Sequence, residues 1–469
     1  MRTILFTAIV LAGFGSFSLG EDQPDILMIA VDDLNDWNSL LDPSSPIEMP
    51  NLERLAARGV SFTRAYCVSA ACNPSRVATL TGLRPSTTGV YGNKSDWRGA
   101  LPDRETIFQV FRRAGYEVVG SGKLFHHHLD GAFHDDASFE EFVPMAEQRY
   151  PEEKINRAPE YGSRNTDWGE WPPREEETID HQSVTAALDF LERASILGGD
   201  RRPLFLAVGI FKPHSPFFAP SSYHGELEGM PLPARRKDDW DDLPVGARTM
   251  MEGKKWFWEG MTSLETRDPG SYREFIEAYA ACCRFADAQL GRILDGLEKS
   301  GRSDRTVVVL WSDHGFHLGE KNHIEKFALW EKANRVPYLV VAPGVTTPGS
   351  ICDRPVDLAS LYPTLLELAG LENDPACDGV SLVPLLLDPD SEWDLPALMT
   401  YGRDNHAVRS DRWRYIRYAD GSEELYDHER DPNEWTNLAE DPSYAAVKEA
   451  HREWIPVESE PEVPPLRKR

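Results

Sequence analysis

The sequence predicts an α/β protein. A large, mostly parallel central sheet is flanked by helices, and a small C-terminal subdomain with an antiparallel sheet follows. Three observations carry this. Residues 24–31, 204–210 and 306–311 are continuous apolar runs, the mark of strands buried on both faces. Segments of helical periodicity separate them, which makes neighbouring strands parallel and covers the sheet on both sides. After residue 391 the pattern changes to short β-type runs at 398–401, 413–418 and 424–426, as in an antiparallel sheet.

The elements follow in order. Residues 1–20 read as a signal peptide: Arg2, an apolar run over 4–14, then small residues ending at Gly20. Cleavage near Gly20 implies a periplasmic or secreted protein. The apolar run is too short for a membrane span, and no other stretch qualifies. Strand 24–31 ends at Asp32-Asp33. Helix 51–58 stops at Gly59, and helix 106–114 stops at Gly115. Strand 117–120 runs into Gly122-Lys123, and helix 181–193 follows. Strand 204–210 ends in Lys212-Pro213-His214. A long helix or helix pair covers 271–299, strand 306–311 ends in Asp313-His314-Gly315, and 336–342 is a further strand.

Segments 148–177 and 219–266 lack periodicity and carry Trp168, Trp171, Trp240, Trp256 and Trp258 among Pro, Asp and Arg. They read either as walls of a carbohydrate pocket or as surface insertions whose Trp side chains pack on the body. For any single Trp the second reading is favoured. Residues 388–391 read as a linker. The expected division is 21–387 for the main domain and 392–469 for the C-terminal subdomain.

A chain of 469 residues can bury a large core. Its net charge of −27 argues against nucleic acid and against an anionic membrane surface as partners. A site for an anion in such a chain needs its cations gathered in one pocket.

Chemistry concentrates in Cys72-Asn73-Pro74-Ser75-Arg76. Pro74 suits the first turn of a helix. Cys72 would then sit at the helix N-terminus, where backbone N–H groups and the dipole favour an anion and lower a thiol pKa. Arg76 would project back toward it, a bidentate cation beside a nucleophile. The bland alternative is a buried structural Cys before an ordinary helix. Independently, Asp32-Asp33, Lys123, His214 and Asp313-His314 each follow the carboxyl end of an apolar strand, the edge where open α/β sheets bind ligands. Asp32, Asp33 and Asp313 are hard oxygen ligands of the kind that select Ca²⁺ or Mg²⁺.

Cys-x-Pro-Ser-Arg, followed by Leu80-Thr81-Gly82 and Arg84-Pro85, resembles the signature of type I sulfatases. The run from Asp313 to Glu320 resembles the family's second signature. The likeness covers nearly the whole mature chain and is nearest to the iduronate-2-sulfatase pattern and its bacterial relatives. It implies an alkaline-phosphatase-like sandwich and hydrolysis of sulfate esters. It also implies one Ca²⁺ and a Cys72 matured to Cα-formylglycine, whose hydrate is the nucleophile. By the same resemblance Asp32, Asp33, residue 72, Asp313 and His314 hold the metal, His314 standing where many members have Asn. Gly122-Lys123-Leu124-Phe125-His126 matches Gly-Lys-x-Phe-His, which assigns Lys123 to the sulfate or the hydrate and His126 to the base of the second step. His214 and Lys326 match the positions that contact sulfate and protonate the leaving alcohol. Lys212 is a further candidate to reach substrate. Lys321 reads as a solvated decoy, and His127 and His128 read as bystanders.

The resemblance implies as partners a sulfated sugar and a maturation enzyme, formylglycine-generating or anaerobic, with the chain a monomer or simple homo-oligomer. With Cys72 used in catalysis, five cysteines remain. Cys282 and Cys283 read as core, and Cys352 and Cys377 are the expected disulfide. The rival readings are a phosphomonoester or phosphonate hydrolase of the same fold, and a glycan-binding relative without catalysis.

Overall fold

A computed structural model describes residues 23–126, 133–196 and 202–466. The signal-peptide reading and the pair His127 and His128 lie outside the described residues.

Eight strands build the central sheet: β1 (Asp25–Val31), β2 (Val60–Phe62), β3 (Glu117–Gly122), β4 (Glu141–Val143), β5 (Leu204–Ile210), β6 (Thr306–Ser312), β7 (Tyr338–Val341) and β8 (Ser350–Cys352). Their spatial order is β8-β2-β7-β6-β1-β5-β3-β4. Every pairing is parallel except those of β7, which runs against both β6 and β2. The expected mostly parallel sheet is therefore present, with one reversed strand at 338–341.

The pleat splits the apolar runs between two cores. Ile26, Met28 and Ala30 face one side, with Val307, Val309 and Trp311 of β6. Leu27, Ile29 and Val31 face the other, with Val308 and Leu310. The first side is covered by helices α2 (Cys72–Thr81), α3 (Ile107–Arg113) and Leu361–Leu368. The second is covered by α1 (Pro50–Ala56), α4 (Ile179–Ile196) and the long α7 (Ser271–Lys299).

Four antiparallel strands, β9 (Ala397–Thr400), β10 (His406–Arg409), β11 (Trp413–Arg417) and β12 (Glu423–Asp427), form the C-terminal sheet. Ala397, Met399, Ala407, Ile416 and Tyr426 point into the first core. Leu398, Val408, Tyr415 and Leu425 form a third, separate one. Buried Arg414 ties the sheet to the body through Glu331 and through the Leu329 carbonyl at 2.8 Å, and pairs with Glu434 of the C-terminal segment at 2.7 Å.

Three expectations are corrected. Segment 219–266 is not without regular structure. It folds into α5 (Val245–Glu252) and α6 (Lys255–Arg267), which bury Met251, Phe257, Met261 and Leu264. Cys352 and Cys377 are both free thiols, as are the other cysteines. Cys352 is buried in edge strand β8, whereas Cys377 accepts a hydrogen bond from Arg104 at 3.3 Å. Lys321 is buried, not solvated, because Asp239 at 2.9 Å and the Glu434 carbonyl hold its ammonium.

Candidate active site

Strands β6, β1, β5 and β3 are contiguous and parallel, so their carboxyl ends open on one edge. That edge receives Asp313, Asp32-Asp33, the loop to His214, and Lys123. At β3 the geometry depends on glycine. Gly122 has φ 77°, and a side chain there would strike the Gly209 carbonyl of β5. The turn brings Lys123 back over the sheet edge.

Helix α2 delivers Cys72 to the same point. Every residue of α2 is buried, its N-cap Ala71 is extended, and no side chain caps it. Cys72 Sγ lies 3.2 Å from His314 Nε2, and the Lys123 ammonium donates to it at 3.9 Å. Burial alone would raise the thiol pKa. Lys123, Lys326 and His314 outweigh it and hold the thiol well below its ordinary value. His126 is pushed down by desolvation, against the hydrogen bond to Cys72, which raises it.

Arg76 differs from the sequence reading. Its guanidinium is fully buried, with Nε 2.8 Å from Asp313 Oδ2 and Nη2 3.1 Å from Asp32 Oδ1. Nη1 donates to the carbonyls of Lys123 at 2.8 Å and Leu124 at 3.1 Å. Every guanidinium nitrogen is thus engaged by the protein, and Arg76 holds the sheet-edge carboxylates together instead of facing an open oxyanion site.

The carboxylates are ordered individually. Asp32 would be raised by burial, but Lys123, which pairs with it, then His214 and Arg76 hold it below the usual range. Asp33 has φ 62° and accepts from Lys326 Nζ at 2.9 and 3.0 Å. Asp313 Oδ1 accepts the backbone N–H groups of Asp33 at 3.2 Å and His314 at 3.1 Å. Burial pushes Asp313 up to about 7. For His314, burial is opposed by Asp313, Cys72 and Asp33, which raise it to about 9.

Asp32, Asp33, Cys72 and His314 each offer a ligand atom, all within 4.8 Å of one another. His314 Nδ1 donates to the Gly315 carbonyl at 3.0 Å, so Nε2 is the nitrogen that faces this group, and it would bind a cation in exchange for its proton. Two carboxylates, an imidazole nitrogen and the residue-72 side chain suit a divalent cation once residue 72 offers oxygen in place of sulfur. Asp313 stands beside them, its Oδ2 3.6 Å from His314 Nε2.

His214 is partly exposed, at 20%. Its Nδ1 donates to the Ser215 carbonyl at 2.6 Å, and its Nε2 is 4.0 Å from Asp33. Lys212 does not reach outward. Its buried ammonium donates to the carbonyls of His214, at 3.0 Å, and Pro216.

Two supporting residues were not singled out from the sequence. Asp180, at the start of α4, accepts the N–H groups of Phe211 at 2.6 Å and Lys212 at 2.9 Å, fixing the His214 loop. His323 donates from Nε2 to the Lys326 carbonyl at 2.6 Å. Only the proximity of His323 to Lys326 in the sequence could have signalled it. Nothing in the helical pattern around Asp180 marks it.

Known proteins show the same combination. A family profile described as "Sulfatase" matches residues 24–371, and one described as "N-sulphoglucosamine sulphohydrolase, C-terminal" matches 319–458. A "Sulfatase" of Formosa agariphila is 39% identical over 93% of this chain and 87% of its own. A choline-sulfatase of Rhizobium meliloti is 30% identical over 90% and 83%, and human iduronate 2-sulfatase is 30% identical over 76% and 70%. Among solved structures, a phosphonate monoester hydrolase from Silicibacter pomeroyi superposes with TM-score 0.72 at 23% identity, covering 92% of this chain and 94% of that one. The fold is shared across these hydrolases, whereas the residues and the profile that spans most of the chain are those of one family: this protein belongs to the sulfatases, the hydrolases of sulfuric esters.

Proposed function

We propose that the protein removes sulfate from an O-sulfated carbohydrate, using residue 72 matured to formylglycine and one Ca²⁺. The observation that carries this is Cys72. Its side chain stands at the N-terminus of α2, 3.2 Å from His314 Nε2 and within reach of Lys123, at the edge where Asp32 and Asp33 meet.

Asp32, Asp33, residue 72 and His314 would hold the cation, with Asp313 beside them. When bound, the cation supplies fixed positive charge against the sulfate oxygens and the nucleophilic oxygen. Lys123 and Lys326 add to this charge from the protein side. One hydroxyl of the residue-72 hydrate loses its proton to Asp313 and attacks sulfur. The bond from sulfur to the sugar oxygen breaks, and His214 or Lys326 protonates the departing alcohol. His126, whose desolvation disfavours the charged ring, takes the proton of the second hydroxyl. The aldehyde re-forms and sulfate leaves. A plain thiol or hydroxyl at residue 72 has no second hydroxyl with which to expel sulfate.

For the sugar, Gly122-Lys123-Leu124-Phe125-His126, His314 in place of Asn, and the likeness to iduronate 2-sulfatase favour a 2-O-sulfated uronate. The charge of −27 repels a long polyanion at distance, which favours a chain end over internal positions. Residues 1–20 support export to the periplasm or beyond, and the Cys72 motif supports a maturation enzyme as partner.

The test is turnover by matured, Ca²⁺-loaded enzyme of 2-O-sulfated uronate disaccharides, 4-O- and 6-O-sulfated hexosides, an intact sulfated polymer, choline sulfate and a phosphonate monoester. The 2-O-sulfated disaccharide should rank first. Preference for choline sulfate or the phosphonate would overturn the carbohydrate reading. Rapid internal desulfation of the polymer with none of the disaccharide would overturn the chain-end reading.

A further inference from the structure

The lysines around the site are engaged. Lys123 and Lys326 lie on Asp32 and Asp33, Lys212 on two carbonyls, and Lys321 on Asp239. Lys254 is not. It is half-buried in the turn between α5 and α6, and among the described residues no carboxylate pairs with it. Its Nζ lies 4.2 Å from the centroid of the Phe327 ring, and the Nζ of Lys326 lies 5.7 Å from the same centroid. The two ammonium groups are thus no more than about 10 Å apart, and both lie beside one partly exposed aromatic ring.

The loop bearing that ring is built under strain. Glu325 has φ 102° and Phe327 has φ 67°, a region that bulky side chains rarely adopt. The Phe327 N–H bond to the Ala70 carbonyl at 3.0 Å and the His323 bond to the Lys326 carbonyl hold it. The same strained turn therefore presents Lys326, whose ammonium lies on Asp33, and, on the next residue, the aromatic floor under Lys254. With no carboxylate in ion-pair contact among the described residues, the Lys254 ammonium is free to take a further anion beside this site.

We propose that Lys254, over the Phe327 ring, is an anion subsite that reads a second negative charge, a carboxylate or a second sulfate, on the sugar that carries the scissile sulfate. The inference rests on the carbohydrate-sulfatase reading above. The span between the two lysines suits one sugar ring with an anionic substituent on either side. An ordinary structural role would have Lys254 offset the buried Glu325 carboxyl, which feels both Lys326 and Lys254. That role would move stability and all substrates together.

The experiment compares wild type, K254M and K254R, matured and Ca²⁺-loaded. The substrates are 4-nitrophenyl sulfate, a 2-O-sulfated uronate disaccharide, its carboxyl methyl ester and a disulfated glucosamine. In K254M the ratio of KM for a doubly anionic substrate to KM for 4-nitrophenyl sulfate should rise about tenfold, the worth of one hydrogen bond to a charged group. K254R should restore most of it. A defect that disappears with the methyl ester identifies the carboxylate as the anion, and one confined to the disulfated sugar identifies the second sulfate. An unchanged ratio overturns the proposal, whether KM moves by one factor for all substrates or not at all. Wild type that turns over 4-nitrophenyl sulfate but no sugar sulfate overturns the carbohydrate reading itself.

Discussion

Cys72 Sγ and His314 Nε2 stand 3.2 Å apart, although 242 residues separate them in the chain. One comes from the start of α2 and the other from the loop after β6. Because His314 Nδ1 is tied to the Gly315 carbonyl, its Nε2 is directed at residue 72 and at Asp33, 3.5 Å away. This pairing of a nucleophile position with a metal-ligand position underlies the predictions below.

Chelation should abolish turnover, and Ca²⁺ should restore it better than Zn²⁺. Binding to the folded state alone should also raise stability, by about 2.7 kcal/mol when free Ca²⁺ is a hundredfold above its dissociation constant. Calorimetry with and without chelator measures this. His314→Ala should reduce the Ca²⁺-dependent increment. Stoichiometric recovery of a Zn²⁺ pair would instead favour phosphatase chemistry.

His214→Gln should lower kcat/KM on sugar sulfates by about 10²–10⁴-fold, the usual worth of a general acid. With 4-nitrophenyl sulfate the loss should be far smaller, because nitrophenolate leaves without a proton. An equal loss on both substrates would remove His214 from leaving-group protonation.

Asp180 gives a pH signature of the His214 loop. Burial pushes its carboxyl up to about 6, above the ordinary aspartate value. A folded-state pKa above the unfolded one contributes stability at low pH, and this is lost as pH rises through the folded value. Between pH 5 and 7, wild type should therefore lose about 1 kcal/mol relative to Asp180→Asn. Denaturant unfolding at the two pH values reads this. The variant should be less active at both, since one amide oxygen cannot accept both N–H groups. A difference that stays constant with pH would contradict the buried-acid account.

Arg76→Lys should keep the charge but lose the fork that joins Asp313 to Asp32. Leaving a buried partner unpaired costs roughly 3–5 kcal/mol. The variant should unfold at lower denaturant in Ca²⁺-free buffer and recover part of the loss when Ca²⁺ is added. Full stability without Ca²⁺ would show that the fork is dispensable.

Much of this was legible in the sequence. Strand β5 and the 29-residue helix α7 have the expected bounds, and β1 and β6 differ from expectation by one residue. Each is long, strongly patterned and buried as its pattern implies. Strands of three or four residues, such as β2, β8 and β10, carry too few side chains to show a period, and pairing alone defines them. Helices α5 and α6 were missed because each buries only about three side chains on a narrow stripe among Trp, Lys and Glu. The candidate site residues could be named because each follows a strand end or sits in a dense motif. What the sequence could not reveal is which charges neutralise each other. Arg76 facing Asp32 and Asp313, Lys212 turned onto carbonyls, and Lys321 paired with Asp239 are all consequences of tertiary packing.

The most direct test of the account is the chemical state of residue 72 in active protein. Mass spectrometry of the tryptic peptide ending at Arg76 should show an aldehyde or its hydrate in place of the thiol, in proportion to sulfatase activity. Cys72→Ala should fold normally and lose turnover. Active enzyme whose residue 72 is wholly unmodified cysteine, or a Cys72→Ala variant with near-normal sulfate release, would contradict the mechanism.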